Sequence, residues 1–242
     1  LTEMREAVGD HEAEVGLAFE GDGGRMGGVD ATGHIIWADR QMMCYAQSGL
    51  AEHPGGGIIF DVKCSAALAT VVEAAGGQPI MWKTGHSLIK EKLRETNAPL
   101  AGEMSGHLFF NDRWYGFDDG IYAAARLLEI LAADDRRVSE VFAALPEPVA
   151  TPEIRLDLQE GEPHRLITAL MDRAEGFDAA RVTTIDGLRV DFADGWGLVR
   201  ASNTQPCLVM RFEGSDAAAL ARIRERFEGL IQRAGEAVGI SV

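Results

Sequence analysis

Between residues 144 and 152 the chain runs Ala-Leu-Pro-Glu-Pro-Val-Ala-Thr-Pro, and three prolines in nine positions exclude a helix or an interior strand there. The stretch predicts a linker, and the hydrophobic pattern changes across it. On the amino side short apolar runs alternate with amphipathic segments. Ile58–Val62 is apolar except for Asp61, the pattern of a strand buried on both faces of a parallel sheet. Asp39 is placed to cap a helix carrying Met42, Met43, Tyr45 and Ala46, and a second helix carries Leu68, Val71, Val72 and Ala75. Pro79–Trp82 predicts a strand, His86 or Ser87 a helix start, Ala98–Gly102 and Leu108–Phe110 further strands. Asp118-Asp119 opens a helix through Ile121, Leu127 and Leu131. This alternation predicts a doubly wound α/β domain with a mixed sheet over 35–147. Beyond the linker a strand (Glu153–Leu158) and a helix (Pro163–Arg173) precede strand-like runs ending near Ile185, Phe192, Arg200 and Phe212. A long helix capped by Asp216 follows, so residues 148–242 predict a smaller α+β domain with an antiparallel sheet. Residues 1–34 stand apart, as a helix end, a strand Val15–Phe19 and a turn at Val29–Gly33.

Charge narrows the choice of partner. Lys plus Arg number 23 and Asp plus Glu 38, a formal charge of −15. With no basic run to offset it, that field argues against nucleic acid or an anionic membrane as partner. No apolar run approaches the roughly 18–20 residues that span a bilayer. Cys44, Cys64 and Cys207 are odd in number, widely spaced and in apolar surroundings, which predicts buried thiols of a cytoplasmic protein. The chain opens at Leu1 inside an amphipathic pattern (Leu1, Met4, Val8), which predicts a further segment upstream.

Four clusters carry chemistry. Lys83-Thr-Gly-His86-Ser leads towards Gly102-Glu103-Met-Ser105-Gly-His107, where glycines allow close backbone approach and Glu103, Ser105 and His107 alternate. In an extended conformation those three point one way and suit a row of sugar hydroxyls, although a solvated loop has the same pattern. Glu20-Gly-Asp22-Gly-Gly24-Arg25 follows a strand, and alternating acids can wrap a hard divalent cation or simply decorate a turn. Asp30 and His34 fit turn residues better than ligands. Asp61-Val-Lys63-Cys64 ends the buried strand, where open α/β sheets place ligands, so Lys63 either snorkels or enters a cleft. Arg200-Ala-Ser202-Asn203-Thr204 offers a guanidinium, hydroxyls, an amide and backbone N–H groups, which suits a phosphate cradle or an ordinary polar turn.

In this order, Phe60-Asp-Val-Lys63-Cys, Trp82-Lys-Thr-Gly-His86-Ser, Gly102-Glu-Met-Ser-Gly-His107, Trp114-Tyr-Gly-Phe-Asp-Asp-Gly120 and Gly195-Trp-Gly-Leu-Val-Arg200-Ala-Ser-Asn-Thr204 resemble the α-D-phosphohexomutases, in particular the phosphomannomutase/phosphoglucomutase branch. The resemblance extends over essentially the whole chain. It implies the end of a second domain (1–34), a third, sugar-recognising domain (35–147) and a fourth, phosphate-binding domain (148–242), with the N-terminal domains of the same enzyme as missing partners. By resemblance, Glu103, Ser105 and His107 bind hexose hydroxyls, and Arg200, Ser202, Asn203 and Thr204 hold the non-reacting phosphate of a mannose or glucose 1- or 6-phosphate. Lys63 and His86 lie near the transferring phosphoryl group, the cation stabilising charge and the histidine shuttling a hydroxyl proton, with Arg25 beside a metal loop formed by Glu20 and Asp22. Such an enzyme moves phosphate between O1 and O6 through a phosphoserine and a bisphosphorylated intermediate.

Two departures qualify the resemblance. The family's reactive serine stands in a Ser-His-Asn-Pro-type loop, and none of serines 48, 65, 87, 105, 139, 202, 215 and 241 has that context. The family's metal loop alternates three aspartates, whereas this chain has Glu20, Asp22 and Gly24, which implies weak or absent magnesium. The chain alone is therefore expected to be inactive as a mutase. The alternatives are a non-catalytic phosphosugar-binding protein and a pseudoenzyme that binds neither sugar nor phosphate.

Overall fold

The computed structural model describes residues 1–173, 177 and 181–242, which divide into two compact units, Leu1–Glu147 and Pro148–Val242. In the first, α1 (Thr2–Asp10) precedes an antiparallel sheet of β1 (Val15–Phe19), β2 (Met26–Asp30) and β3 (Ile35–Ile36). The turn between β2 and β3 is closed by Asp30, whose Oδ1 accepts from the N–H groups of Thr32 and His34 and from the Thr32 hydroxyl. Next come α2 (Ala38–Glu52), β4 (Gly57–Asp61), α3 (Ala66–Ala74), β5 (Gln78–Trp82), α4 (His86–Thr96), β6 (Leu100–Gly102), β7 (Leu108–Phe110), α5 (Gly120–Ala132) and α6 (Val138–Ala143).

The second sheet has the order β5-β4-β6-β7, with β4 parallel to both neighbours and β7 antiparallel to β6. Ile58, Ile59 and Phe60 are each at most 1% exposed, because helices cover both faces. Ile58 and Phe60 join Met42, Tyr45, Leu68 and Leu127 on one side, and Ile59 joins Ile89, Leu93 and Phe109 on the other. The carboxyl ends of β4, β5 and β6 thus open on one edge, delivering Lys63, Lys83–His86 and Glu103 to the crevice where such sheets bind ligands.

Asp39 departs from its predicted role. It is 2% exposed and lies inside α2, whose N-cap is Trp37, and its Oδ2 accepts from Ser65 N (3.1 Å) at the start of α3. Its Oδ1 accepts from Arg40 N (2.9 Å) next to it, but the partner of Oδ2 stands 26 residues away, beyond the reach of a local capping inference.

The second unit contains β8 (Val149–Ala150), β9 (Ile154–Asp157), α7 (Glu162–Met171), β10 (Arg181–Thr183), β11 (Leu188–Phe192), β12 (Gly195–Ala201), β13 (Cys207–Gly214) and α8 (Ala217–Val238). The sheet order is β10-β11-β12-β13-β8, with β9 also pairing β13, and every pairing is antiparallel. Along β12, alternation sends Gly197, Val199 and Ala201 towards the helices and Trp196, Leu198 and Arg200 to the opposite face. Gly197 is required by close approach, since a Cβ there would lie 2.4 Å from the Phe227 ring of α8. The fold is thus an α/β unit followed by an antiparallel α+β unit. Cys44, Cys64 and Cys207 are all buried free thiols, and no helix among the described residues is long and apolar enough to cross a membrane.

Candidate active site

At the carboxyl end of β4, Asp61 is fully buried and gathers groups from three loops. Its Oδ1 accepts from Met104 N (3.2 Å) and Cys64 Sγ (3.2 Å), its Oδ2 accepts from Thr84 Oγ1 (3.1 Å), and Lys63 Nζ lies 3.8 Å away. One carboxylate therefore fixes the position of Lys63 relative to the Lys83–His86 and Glu103–His107 segments. Lys63 is 7% exposed, a burial that an ammonium tolerates beside a carboxylate.

The Glu103–His107 segment is a tight turn and not an extended strand. Glu103 N donates to His107 O (2.9 Å), Gly106 N donates to Glu103 O (3.0 Å), and Gly106 has φ +100. A glycine in the left-handed region bends the chain where alternation predicted a straight row. Consequently the three side chains separate: Glu103 is buried, Ser105 exposed and His107 half-buried. Glu103 Oε1 accepts from Gly85 N (2.5 Å), tying this turn to the loop before α4. His86, the first residue of α4, is exposed, and its ring centroid lies 5.7 Å from that of His107.

Arg25 joins the same group through an isolated antiparallel bridge to His107. The Gly23–Arg25 backbone is clasped from its other side by Gly120, whose N donates to Gly23 O (2.8 Å), and a Cβ on Gly120 would meet Arg25 O at 2.8 Å. The aromatic-acidic stretch Trp114–Gly120 thus ends against the loop of Glu20 and Asp22. It contributes Asp118, and α4 contributes Lys90, two residues to which the sequence alone assigned no role in the site. Asp118 Oδ2 lies 3.1 Å from His107 Nδ1, and Lys90 Nζ donates to Asp118 Oδ1 (3.2 Å). Burial holds His107 below the ordinary imidazole value, although the Asp118 charge opposes that shift. Burial would raise Asp118, but hydrogen bonds from its own backbone N–H and from Lys90 outweigh it and hold the carboxyl below the usual range.

The residues of the acidic loop do not fit a magnesium ion. Arg25 donates to both carboxylate oxygens of Glu20, which commits that side chain to a guanidinium. Asp22 Oδ1 accepts from Gly24 N (2.9 Å), and position 24 has no side chain. Magnesium requires near-octahedral oxygen donors, and one uncommitted carboxylate is a poor start. Among the described residues, Glu52, His53 and Asp112 form the single group of three potential metal-ligating side chains with ligand atoms within 4.8 Å of one another. Asp112 there is already neutralised by the buried Arg126.

In the second unit Arg200 is 4% exposed, donates from Nε to Asp186 Oδ2 (2.9 Å), and has an Nη2 without a hydrogen-bond partner among the described residues. Ser202 Oγ accepts from Thr204 N and Gln205 N (both 3.3 Å), so two N–H groups of the expected cradle are taken up within the turn. Asn203 and Thr204 are exposed at its tip.

Comparison with known proteins places the chain in a family. Residues 33–149 match the family model described as phosphoglucomutase/phosphomannomutase, alpha/beta/alpha domain III, and residues 153–230 match its C-terminal domain. Over 233 residues the chain is 51% identical to a phosphomannomutase/phosphoglucomutase of Pseudomonas putida, covering 96% of this chain and 50% of that protein. A phosphoglucomutase of Neisseria gonorrhoeae is also 51% identical over 96% of this chain and 50% of its own length. A crystal structure of a phosphoglucomutase/phosphomannomutase family protein from Burkholderia thailandensis superposes with a TM-score of 0.91 at 52% identity, over 97% of this chain and 50% of that one. The chain thus spans about half the length of the curated relatives it matches.

Proposed function

The chain belongs to the phosphoglucomutase/phosphomannomutase family, and from that premise we propose that it is the hexose- and phosphate-recognising part of a phosphohexomutase. The whole enzyme would interconvert hexose 1- and 6-phosphates through a phosphoserine and a bisphosphorylated sugar. The observation carrying this reading is the bridge between Arg25 and His107, which brings the acidic loop against the turn bearing Glu103 and Ser105. Arg25, Lys63 and Lys90 are cations at that end of a protein whose formal charge is −15, each paired with a carboxylate (Glu20, Asp61 and Asp118) with which an anionic ligand would compete. His86 and His107 are groups that can hold a hydroxyl proton, and Lys63 would stabilise charge on a transferring phosphoryl group. In the second unit, Arg200 with Ser202, Asn203 and Thr204 would hold the phosphate that does not react.

No serine of this sequence has the Ser-His-Asn-Pro context that the resemblance attaches to phosphoryl transfer, so this chain would bind hexose phosphates without turning them over. Calorimetry with mannose and glucose 1- and 6-phosphates tests the reading. Saturable binding of any of them, with no isomer formed, is the expected result; no binding at millimolar ligand would leave a pseudoenzyme. The Glu20–Arg25 pair favours a second reading, a binding protein that uses no divalent cation at all.

Gly24 offers a test of that loop. Its φ lies outside the left-handed region, so a side chain is conformationally allowed, and its Cβ would sit 3.3 Å from Asp22 Oδ1 and 3.5 Å from Asp118 Oδ2. Gly24→Asp adds a carboxylate beside Asp22 and should tighten magnesium binding by about tenfold, on the order of 1.4 kcal/mol. Unchanged magnesium titrations of the wild-type and Gly24→Asp chains would show that this loop is not a cation site.

A further inference from the structure

Asp118 does more than flank a helix start, since the N-cap of α5 is its neighbour Asp119. The bridge between Phe109 and Asp118 fixes the backbone of Asp118 beside β7, and its side chain turns to His107 Nδ1 (3.1 Å) and Lys90 Nζ (3.2 Å). Lys90 is itself carried on α4, so two elements converge on one carboxylate. The His107 ring is further confined by Phe109, stacked at 6.3 Å with an interplanar angle of 20°, and by His86 at 5.7 Å.

An ionised carboxylate only accepts hydrogen bonds, and a neutral imidazole carries one N–H. Facing Asp118, Nδ1 must therefore be the protonated nitrogen, which leaves Nε2 as an acceptor. Lys90 keeps Asp118 ionised, and the depressed value of His107 keeps its ring neutral near pH 7, so the tautomer decides what the ring can recognise. We infer that Asp118 is a positioning residue that fixes His107 as the Nδ1–H tautomer and thereby presents Nε2 as an acceptor for a sugar hydroxyl. The hydroxyl as ligand rests on the hexose-phosphate reading above; the tautomer does not. An acceptor at that position selects a ligand O–H and rejects a bare carbonyl or ether oxygen.

The test is made on the chain alone, without substrate. Long-range proton–nitrogen NMR of histidine-labelled protein at about pH 8, above the ordinary imidazole range, reads the tautomer of each of the six histidines. The expected result is Nδ1–H at His107 in the wild type, converting mainly to Nε2–H in Asp118→Ala while the remaining histidine signals stay in place. Nε2–H at His107 in the wild type would overturn the inference without any variant. An unchanged Nδ1–H in Asp118→Ala would overturn it too, because some other group would then orient the ring. Should Asp118→Ala fail to fold, the near-isosteric Asp118→Leu serves: it offers Nδ1 no acceptor, so Nδ1–H should give way to Nε2–H, and an unchanged pure Nδ1–H would refute the role of Asp118. A purely structural Asp118 would alter thermal stability but not the tautomer.

Discussion

Asp112→Ala should destabilise the first unit by about 3–5 kcal/mol, the range for removing one partner of a buried ion pair. Arg126 on α5 donates from Nη1 to Asp112 Oδ1 (3.1 Å) and from Nη2 to Oδ2 (2.9 Å), with side chains 6% and 3% exposed. Burial alone would lower the Arg126 value, yet the hydrogen bonds from Arg126 to Asp112 and Tyr122 outweigh it and raise the group above its ordinary range. Without Asp112 that compensation falls to the Tyr122 hydroxyl (3.2 Å) and to Glu129, 3.5 Å from Nε and largely exposed. The guanidinium also lies over the Phe110 ring at 4.8 Å, a contact that keeps it in place but supplies about 2 kcal/mol at most. Urea unfolding followed by circular dichroism measures the loss as a lower midpoint at unchanged slope. The double variant Asp112→Ala/Arg126→Met separates the two causes. Because it removes the stranded charge, it should recover part of the loss. A double variant as unstable as the sum of the singles would show that packing, and not the uncompensated charge, sets the cost.

The parts of the fold legible in the sequence are those with local causes. Ile58–Phe60 announces a strand buried on both faces because each of its side chains meets a hydrophobic layer, and a continuous apolar run is what that environment selects. The cap at Asp216 could be read because its carboxylate accepts from Ala219 N, three residues on. The site was legible by residue type and by resemblance but not by geometry. Glu103, Ser105 and His107 separate because Gly106 adopts a left-handed conformation that residue alternation does not encode. Asp61, Lys90 and Asp118 went without roles in the site because their partners arrive by tertiary packing, from 43 residues away for Asp61 with Met104 N and 28 for Lys90 with Asp118. A buried acid at the carboxyl end of a central strand was the one available signal. It pointed to a positioning carboxylate as well as to the adjacent lysine.

Arg200→Ala should weaken binding of a hexose phosphate by about 30-fold, close to 2 kcal/mol, within the cost of losing a charge-assisted, largely desolvated hydrogen bond. The turn before β11 prepares this guanidinium. Gly187 adopts φ +79, and a Cβ there would lie 2.7 Å from Arg200 Cα, so only glycine lets the turn settle on β12 and bring Asp186 to Nε. Asp186 holds Nε of the guanidinium, and the buried Nη2, which has no hydrogen-bond partner among the described residues, is the donor proposed for an anion. A buried donor without a partner costs about 1–3 kcal/mol, and a phosphate oxygen would recover it. Arg200→Lys distinguishes charge from geometry: it keeps the positive charge but loses the planar fork, so its affinity should fall between wild type and alanine. Calorimetry with glucose 6-phosphate, beside circular dichroism to verify folding, reads all three proteins. If alanine binds as tightly as arginine, Arg200 serves only to hold the β10–β11 turn to the sheet, and the phosphate site of this chain must lie elsewhere.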